Sequence, residues 1–198
     1  LRGVAVGLGA ASALVGTLAA LGLLEVSLGP LPPAVALASG LEWGLVFLLV
    51  ALFEELLLRG YLQATLTRSI GFWPAAGLLS VLFALAHARN SGETLAGLIA
   101  VGAFGLFFCY TLRVTGNLWL AIGFHAAWDW AQSYLYGVAD SGVHVAGHLF
   151  NASTTGRAWL SGGTVGPEGS ILVFAVLGAC VGVVRPRRLS RELGTRAA

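Results

Sequence analysis

The run Leu41–Gly60, LEWGLVFLLVALFEELLLRG, sets two adjacent carboxylates, Glu54 and Glu55, and the guanidinium of Arg59 inside an apolar stretch. An ionised side chain at the centre of a bilayer costs about 3 kcal/mol or more unless something compensates it. Groups placed at that cost mark chemistry within a membrane.

The rest of the chain agrees. It is 57% hydrophobic and only 10% charged, with a strongly positive mean hydropathy, which lies outside the range of soluble domains and within that of membrane proteins. The expected fold is therefore all-α, a polytopic transmembrane helix bundle. Helices that cross a bilayer need roughly 20 mainly apolar residues. Six stretches approach that length: Val4 to Leu24, Leu41 to Thr65, Phe72 to Ala88, Leu95 to Leu112, Leu118 to Tyr136 and Ser170 to Val184. Gly29, Pro30, Pro32 and Pro33, then Gly71 and Pro74, Asn90 to Gly92, and Thr115 to Asn117 punctuate them. With no linker between them, residues 1–184 read as a single transmembrane domain and 185–198 as a basic, cytoplasmic tail. The chain contains no Met and opens on Leu1, which reads as an N-terminally truncated piece, so six spans is a lower bound.

All eleven cations are arginine. Arg185, Arg187, Arg188, Arg191 and Arg196 crowd the tail, and a basic tail beside an apolar segment reads as an anchor against anionic lipid, not as a nucleic-acid site. With that tail in the cytoplasm and six alternating spans, Arg2, Arg59, Arg68 and Arg113 share its side, whereas Arg89 and Arg157 fall opposite. The acids Glu25, Glu42, Glu93, Asp140 and Glu168 then lie on the outer side. Cys109 and Cys180 fall in apolar segments and read as isolated buried thiols. The long segment from Gly137 to Gly169 reads as a solvent-facing loop. Its His144 and His148 could share a metal only if helical, which the surrounding glycines disfavour. Its Asn151-Ala-Ser tripeptide matches a glycosylation acceptor, a pattern short enough to arise by chance, and is given no weight.

On a helix, Glu55 and Arg59 are four apart and share a face, with the acid N-terminal to the base, the better order for an ion pair. Glu54 is turned about 100° away and is left facing something else. Unpaired, it is the carboxylate free to serve as a general base. The structural alternative is one polar cluster gluing helices together, and such a cluster needs no second acid. On the next helix His87 has Phe83 one turn before it, although a lone histidine on an apolar face is more often a satisfied core residue than a catalyst. A third helix carries His125 and Asp129, again four apart, so the carboxylate can orient the imidazole. At a rise of about 1.5 Å per residue, counted from the turns at Ser69–Gly71 and Thr115–Asn117, Glu54 and His87 lie roughly 20 to 25 Å deep and His125 with Asp129 roughly 12 to 18 Å. All can converge at one level.

Glu54-Glu55-Leu-Leu-Leu-Arg59 resembles an EExxxR motif, Phe83-Ala-Leu-Ala-His87 an FxxxH motif and His125-Ala-Ala-Trp-Asp129 an HxxxN/D motif, in the order found in the CPBP intramembrane proteases, also called the Abi or CAAX-protease family, which includes the type II CAAX prenyl endopeptidases. The stretch Gly162-Gly163-Thr-Val-Gly166-Pro167-Glu168-Gly169 is also similar to bacterial members. The resemblance implies an integral protein of a prokaryotic plasma membrane. Its implied activity is an endopeptidase that hydrolyses a peptide bond of a membrane-associated peptide or protein, with a CAAX-type or a bacteriocin and leader-type substrate. Carried onto this chain, Glu54 activates the attacking water with help from His87, His125 and Asp129 stabilise the oxyanion, and Glu55, Arg59 and Phe83 support the geometry. Asp129 departs from the common Asn, and an ionised carboxylate cannot donate the hydrogen bond that an amide can. Glu54, His87, His125 and Asp129 could instead ligate Zn²⁺ or another divalent metal with an open position for water. No HExxH-type pairing occurs on one helix, which favours the reading with no cofactor required, and both mechanisms stay open at this point.

Other classes of function compete. A proton or ion carrier built on Glu54, His87, His125 and Asp129 predicts polar groups at several depths. Haem ligation by His87 and His125 leaves the glutamates unexplained. An inactive scaffold of the family would have little reason to keep an intact motif set.

Overall fold

The computed structural model describes residues 1–185; Arg187, Arg188, Arg191 and Arg196 of the basic tail lie outside the described residues. Helices occupy all six expected places. They are α1 (Arg2–Ala20), α2 (Pro33–Glu55), α3 (Gln63–Ile70), α4 (Phe72–His87), α5 (Leu95–Thr115), α6 (Trp119–Trp130), the four-residue α7 (Ala158–Ser161) and α8 (Leu172–Val184). A π-helical segment, Leu56–Leu62, joins α2 to α3 without a break, and a second, Ala131–Tyr136, prolongs α6.

Local chemistry sets the boundaries. Pro33 occupies the first turn of α2, where its missing N–H costs nothing. Thr94 caps α5 by accepting from the Gly97 N–H. Gly71, at φ 85°, separates α3 from α4, and Gly116, at φ 70°, closes α5 in the left-handed conformation that a side chain would resist. The second expected span therefore runs further than its apolar core, from Pro33 to Ile70 as one rod.

Among the described residues three helical stretches are long and apolar enough to cross a bilayer unaided, Arg2–Ala20, Pro33–Ile70 and Leu95–Thr115, while Phe72–His87 and Leu172–Val184 are shorter. The core forms where α1, α5, α6 and α8 meet, around Leu14, Leu18, Phe104, Phe124, Trp128 and Val173. Gly3 and Gly7 of α1 let it lie directly on α6: a Cβ at either would strike the carbonyl oxygens of Leu120 and Phe124, the close approach that small residues four apart permit between membrane helices. Leu41, Leu45, Leu49 and Phe53 of α2 point outward, as apolar side chains do when the solvent is lipid.

Two expectations need correction. The first helix stops at Ala20, and β1 (Leu24–Leu28) pairs antiparallel with β2 (Phe150–Thr154), register Leu24↔Thr154 to Leu28↔Phe150. Nor is the segment from Gly137 to Gly169 a plain solvent-facing loop. It carries β2, α7 and a 3-10 turn, Pro167–Gly169, and it folds back over the bundle. His144 and His148 are not on a helix. The His148 ring instead bonds the Asn151 side chain and the Val145 carbonyl. Both cysteines are free and buried.

Candidate active site

The EExxxR turn ends α2. Arg59, in the π-helical segment that follows, donates from Nη1 to Glu55 Oε1 at 2.9 Å, and neither side chain is accessible. The guanidinium also lies over the rings of Phe83 and Phe108, 4.5 and 5.3 Å from its carbon to the ring centroids. Aromatic faces and one carboxylate thus compensate a buried cation. Phe83 on α4 does double duty, since its other neighbour is the His87 ring, edge-on at 4.7 Å.

His125 of α6 reaches the same turn. Its Nδ1–H donates to Glu55 Oε1 at 3.1 Å, which leaves Nε2 as the nitrogen presented to the cavity. Around Nε2 stand Glu54 Oε2 at 3.6 Å and Asp129 Oδ2 at 3.5 Å. The two glutamates divide as the helix period requires. Glu55 is sealed, with no accessible side-chain surface, whereas Glu54 keeps about 25% of its own and meets the cavity. Of the pair, only Glu54 is placed to touch a water or a substrate. The Nδ1–H of His87 donates to the Phe83 carbonyl at 2.8 Å, one turn back on α4, so it too turns Nε2 toward the cavity.

These side chains line one cavity of about 340 Å³, with Glu54, His125 and Asp129 on one wall and His87 with Phe83 on another. The structure therefore brings together all four candidate catalytic residues. His87 makes no direct polar contact with the other three among the described residues.

Two further acids, which the motifs do not include, enter the same cavity. Asp140 and Glu168 both line it. Glu168 Oε2 accepts from Trp128 Nε1 and Gln132 Nε2, each at 3.3 Å, while Oε1 accepts from the Ser141 backbone N–H and from its hydroxyl at 2.7 Å. Asp140 accepts from Gln132 Nε2 at 3.2 Å and from the Ser133 hydroxyl at 3.4 Å. Burial lifts the Asp140 carboxyl well above the usual carboxylate range; Glu168 beside it adds to the effect and the Ser133 hydrogen bond opposes it. Trp128 and Gln132 belong to α6 and its π-helical continuation, so Glu168 fastens the returning segment to the helix that carries His125 and Asp129. The one available signal was an acid among turn residues, Gly166-Pro167-Glu168-Gly169.

A metal would need three or more donors converging on one point. Among the described residues no group of three or more His, Cys, Asp and Glu side chains does so. As placed, the candidate ligands do not converge on a single point as a tetrahedral metal site requires.

A family model described as type II CAAX prenyl endopeptidase Rce1-like matches residues 34–131. The match takes in all three motifs and stops short of Asp140 and Glu168. No curated protein and no solved structure gives a significant match.

Proposed function

The chain belongs to the CPBP/CAAX protease family, and from that premise we propose that it is an intramembrane endopeptidase that hydrolyses a peptide bond with a water activated by Glu54. The observation that carries this reading is the contact between Glu54 Oε2 and His125 Nε2 at 3.6 Å in a cavity where acids and imidazoles meet within an apolar bundle.

The chemistry follows from who is free to move a proton. Glu54 takes a proton from water, and the oxygen adds to the scissile carbonyl carbon. The carbonyl oxygen becomes an oxyanion, which needs donors aimed at it. His125, its Nδ1–H held by Glu55, offers a second N–H at Nε2 when doubly protonated. Asp129 offers an O–H only in its protonated form, since an ionised carboxylate accepts and does not donate. Collapse of the intermediate breaks the C–N bond, and the proton held by Glu54 passes to the departing amine with His87 across the cavity assisting. Glu55 and Arg59 position the imidazole, and Phe83 supports both Arg59 and His87. The mechanism requires no metal or other cofactor. Its partners are the bilayer and a membrane-associated peptide or protein, and its setting is a prokaryotic plasma membrane with the basic tail in the cytoplasm.

Substrate trapping tests the proposal. Glu54→Gln keeps the size of the side chain and removes the base, so the variant should hold peptides that the parent releases cut. Recovery of the same uncut peptides from parent and variant alike would count against proteolysis.

A further inference from the structure

The two-stranded sheet has one edge that the fold leaves open. At the ends of the pair the Gly29 N–H donates to the Leu149 carbonyl at 2.8 Å and the Thr155 N–H to the Leu23 carbonyl at 2.9 Å, and the register between them is unbroken. Residues opposite each other in an antiparallel pair alternate between bonded and non-bonded. Asn151 and Ser153 therefore turn their backbone groups toward β1, whereas Phe150, Ala152 and Thr154 turn theirs away. The Phe150 carbonyl is covered by Gly137, where a Cβ would strike it. Among the described residues the N–H and C=O of Ala152 and the N–H of Thr154 have no hydrogen-bond partner.

Beside that edge lies a second cavity, of about 480 Å³, lined in part by Ala152, Ser153 and Thr154. Successive side chains of a strand point to opposite faces, so three consecutive residues border one cavity only along the strand's edge. Apart from His144 no titratable side chain lines it. What such a wall can recognise is backbone. One segment divides this cavity from the one that holds Glu54: Val138, Ala139 and His144 face the outer space, and Asp140, Ser141 and Val143 the inner. The partition is held in place. Asp140 and Val143 exchange backbone hydrogen bonds at 2.9 Å, and the Gly142 N–H donates to the Val165 carbonyl at 2.9 Å. Ser141 takes a left-handed conformation, φ 45°, with its hydroxyl on Glu168 and its carbonyl accepting from Asn90 Nδ2.

A peptide bond inside a helix is a poor target, because its N–H and C=O are bonded within the helix and its neighbours crowd the carbonyl. A segment to be cut has to be held extended. We propose that the open edge of β2 binds the substrate as an added strand, its backbone pairing with Ala152 and Thr154 and its chain continuing round the 138–144 segment to the cavity of Glu54. Strand addition to a sheet edge draws its affinity from main-chain hydrogen bonds, which suits a wall with so little charge. From Ala152 to Thr154 the edge runs about 7 Å, enough for two or three peptide residues. The open edge stands on the sheet alone; that its occupant is a substrate rests on the proteolytic reading.

Kinetics of the full chain in lipid, on a peptide recovered uncut from Glu54→Gln and then synthesised, test this. Ala152→Pro removes an outward N–H and fills the edge, while the bonded pairs at Asn151 and Ser153 remain, and proline is tolerated on edge strands. Its KM for the peptide should rise about tenfold, with turnover nearly unchanged. N-methylation of the peptide's amides one at a time leaves the protein untouched, and it should raise KM at every second position of a short stretch beside the scissile bond. If Ala152→Pro does not accumulate, that series decides alone. An unchanged KM in the variant and across the series overturns the proposal. So does a shift of oligomeric state in Ala152→Pro at unchanged KM, which would give the edge to a second copy of the chain. A Glu54→Gln that traps no peptide removes the proteolytic reading and the substrate with it; trapping with an unchanged KM removes strand addition alone.

Discussion

Glu55 accepts the Nδ1–H of His125 at 3.1 Å across 70 positions of sequence, and the same oxygen accepts from Arg59 at 2.9 Å. One sealed carboxylate therefore aligns the imidazole and neutralises the guanidinium. Removing it leaves a buried cation unpaired, a loss that typically costs about 3 to 5 kcal/mol. Glu55→Ala should lower the thermal unfolding midpoint in detergent markedly and abolish activity with it. Glu54→Ala, which removes a carboxylate that keeps about a quarter of its surface accessible and holds no buried cation, should leave that midpoint nearly unchanged. Equal destabilisation by the two would contradict the division of labour between the neighbouring glutamates.

Asp129 stands 3.5 Å from His125 Nε2, and its role in holding an oxyanion depends on carrying a proton. Asp129→Asn supplies a permanent donor in nearly the same volume. Peptide cleavage by Asp129→Asn should match or exceed that of the parent, whereas Asp129→Ala should lose about 100-fold or more in turnover with little change in KM. A turnover for Asp129→Asn as low as that for Asp129→Ala would remove the oxyanion role.

Asp140 ties the returning segment to Gln132 and Ser133, and burial holds its carboxyl above the ordinary range. The folded chain thus keeps this proton over a pH window in which the unfolded chain has released it, and the stability contributed by the group falls as pH rises through that window. Amide protection factors across residues 138–144 should be larger at about pH 5 than at about pH 8. Asp140→Asn, which cannot ionise, should flatten the difference. An unchanged difference in that variant would move the pH dependence to another group.

The local half of the site was legible in the sequence. Glu55 with Arg59 and His125 with Asp129 are pairs four apart on continuous helices, so the helical period alone brings each pair into reach, and both are in contact. The separation of Glu54 from Glu55 came from the same period. Contact between Glu54 and His125 lies on two different helices, and it followed only from matched depth and from the order of the three motifs. Asp140, Ser141 and Glu168 were illegible as cavity residues because a glycine-rich segment with no hydrophobic period positions them. The strand Leu24–Leu28 was absorbed into the preceding apolar run, since its partner Phe150–Thr154 is distant in sequence and pairing is what defines it. Gly3 and Gly7 were readable as small residues four apart, yet the chain has 28 glycines, and only the packed structure shows which of them admit a neighbouring helix.

The central claim is that Glu54 turns a water into the nucleophile. It is tested most directly by the turnover of Glu54→Gln, against the parent, on one trapped and identified peptide in the same lipid, with the unfolding midpoint measured alongside. The account predicts a drop of about 100-fold or more in turnover at an unchanged midpoint. Turnover equal to that of the parent would contradict it.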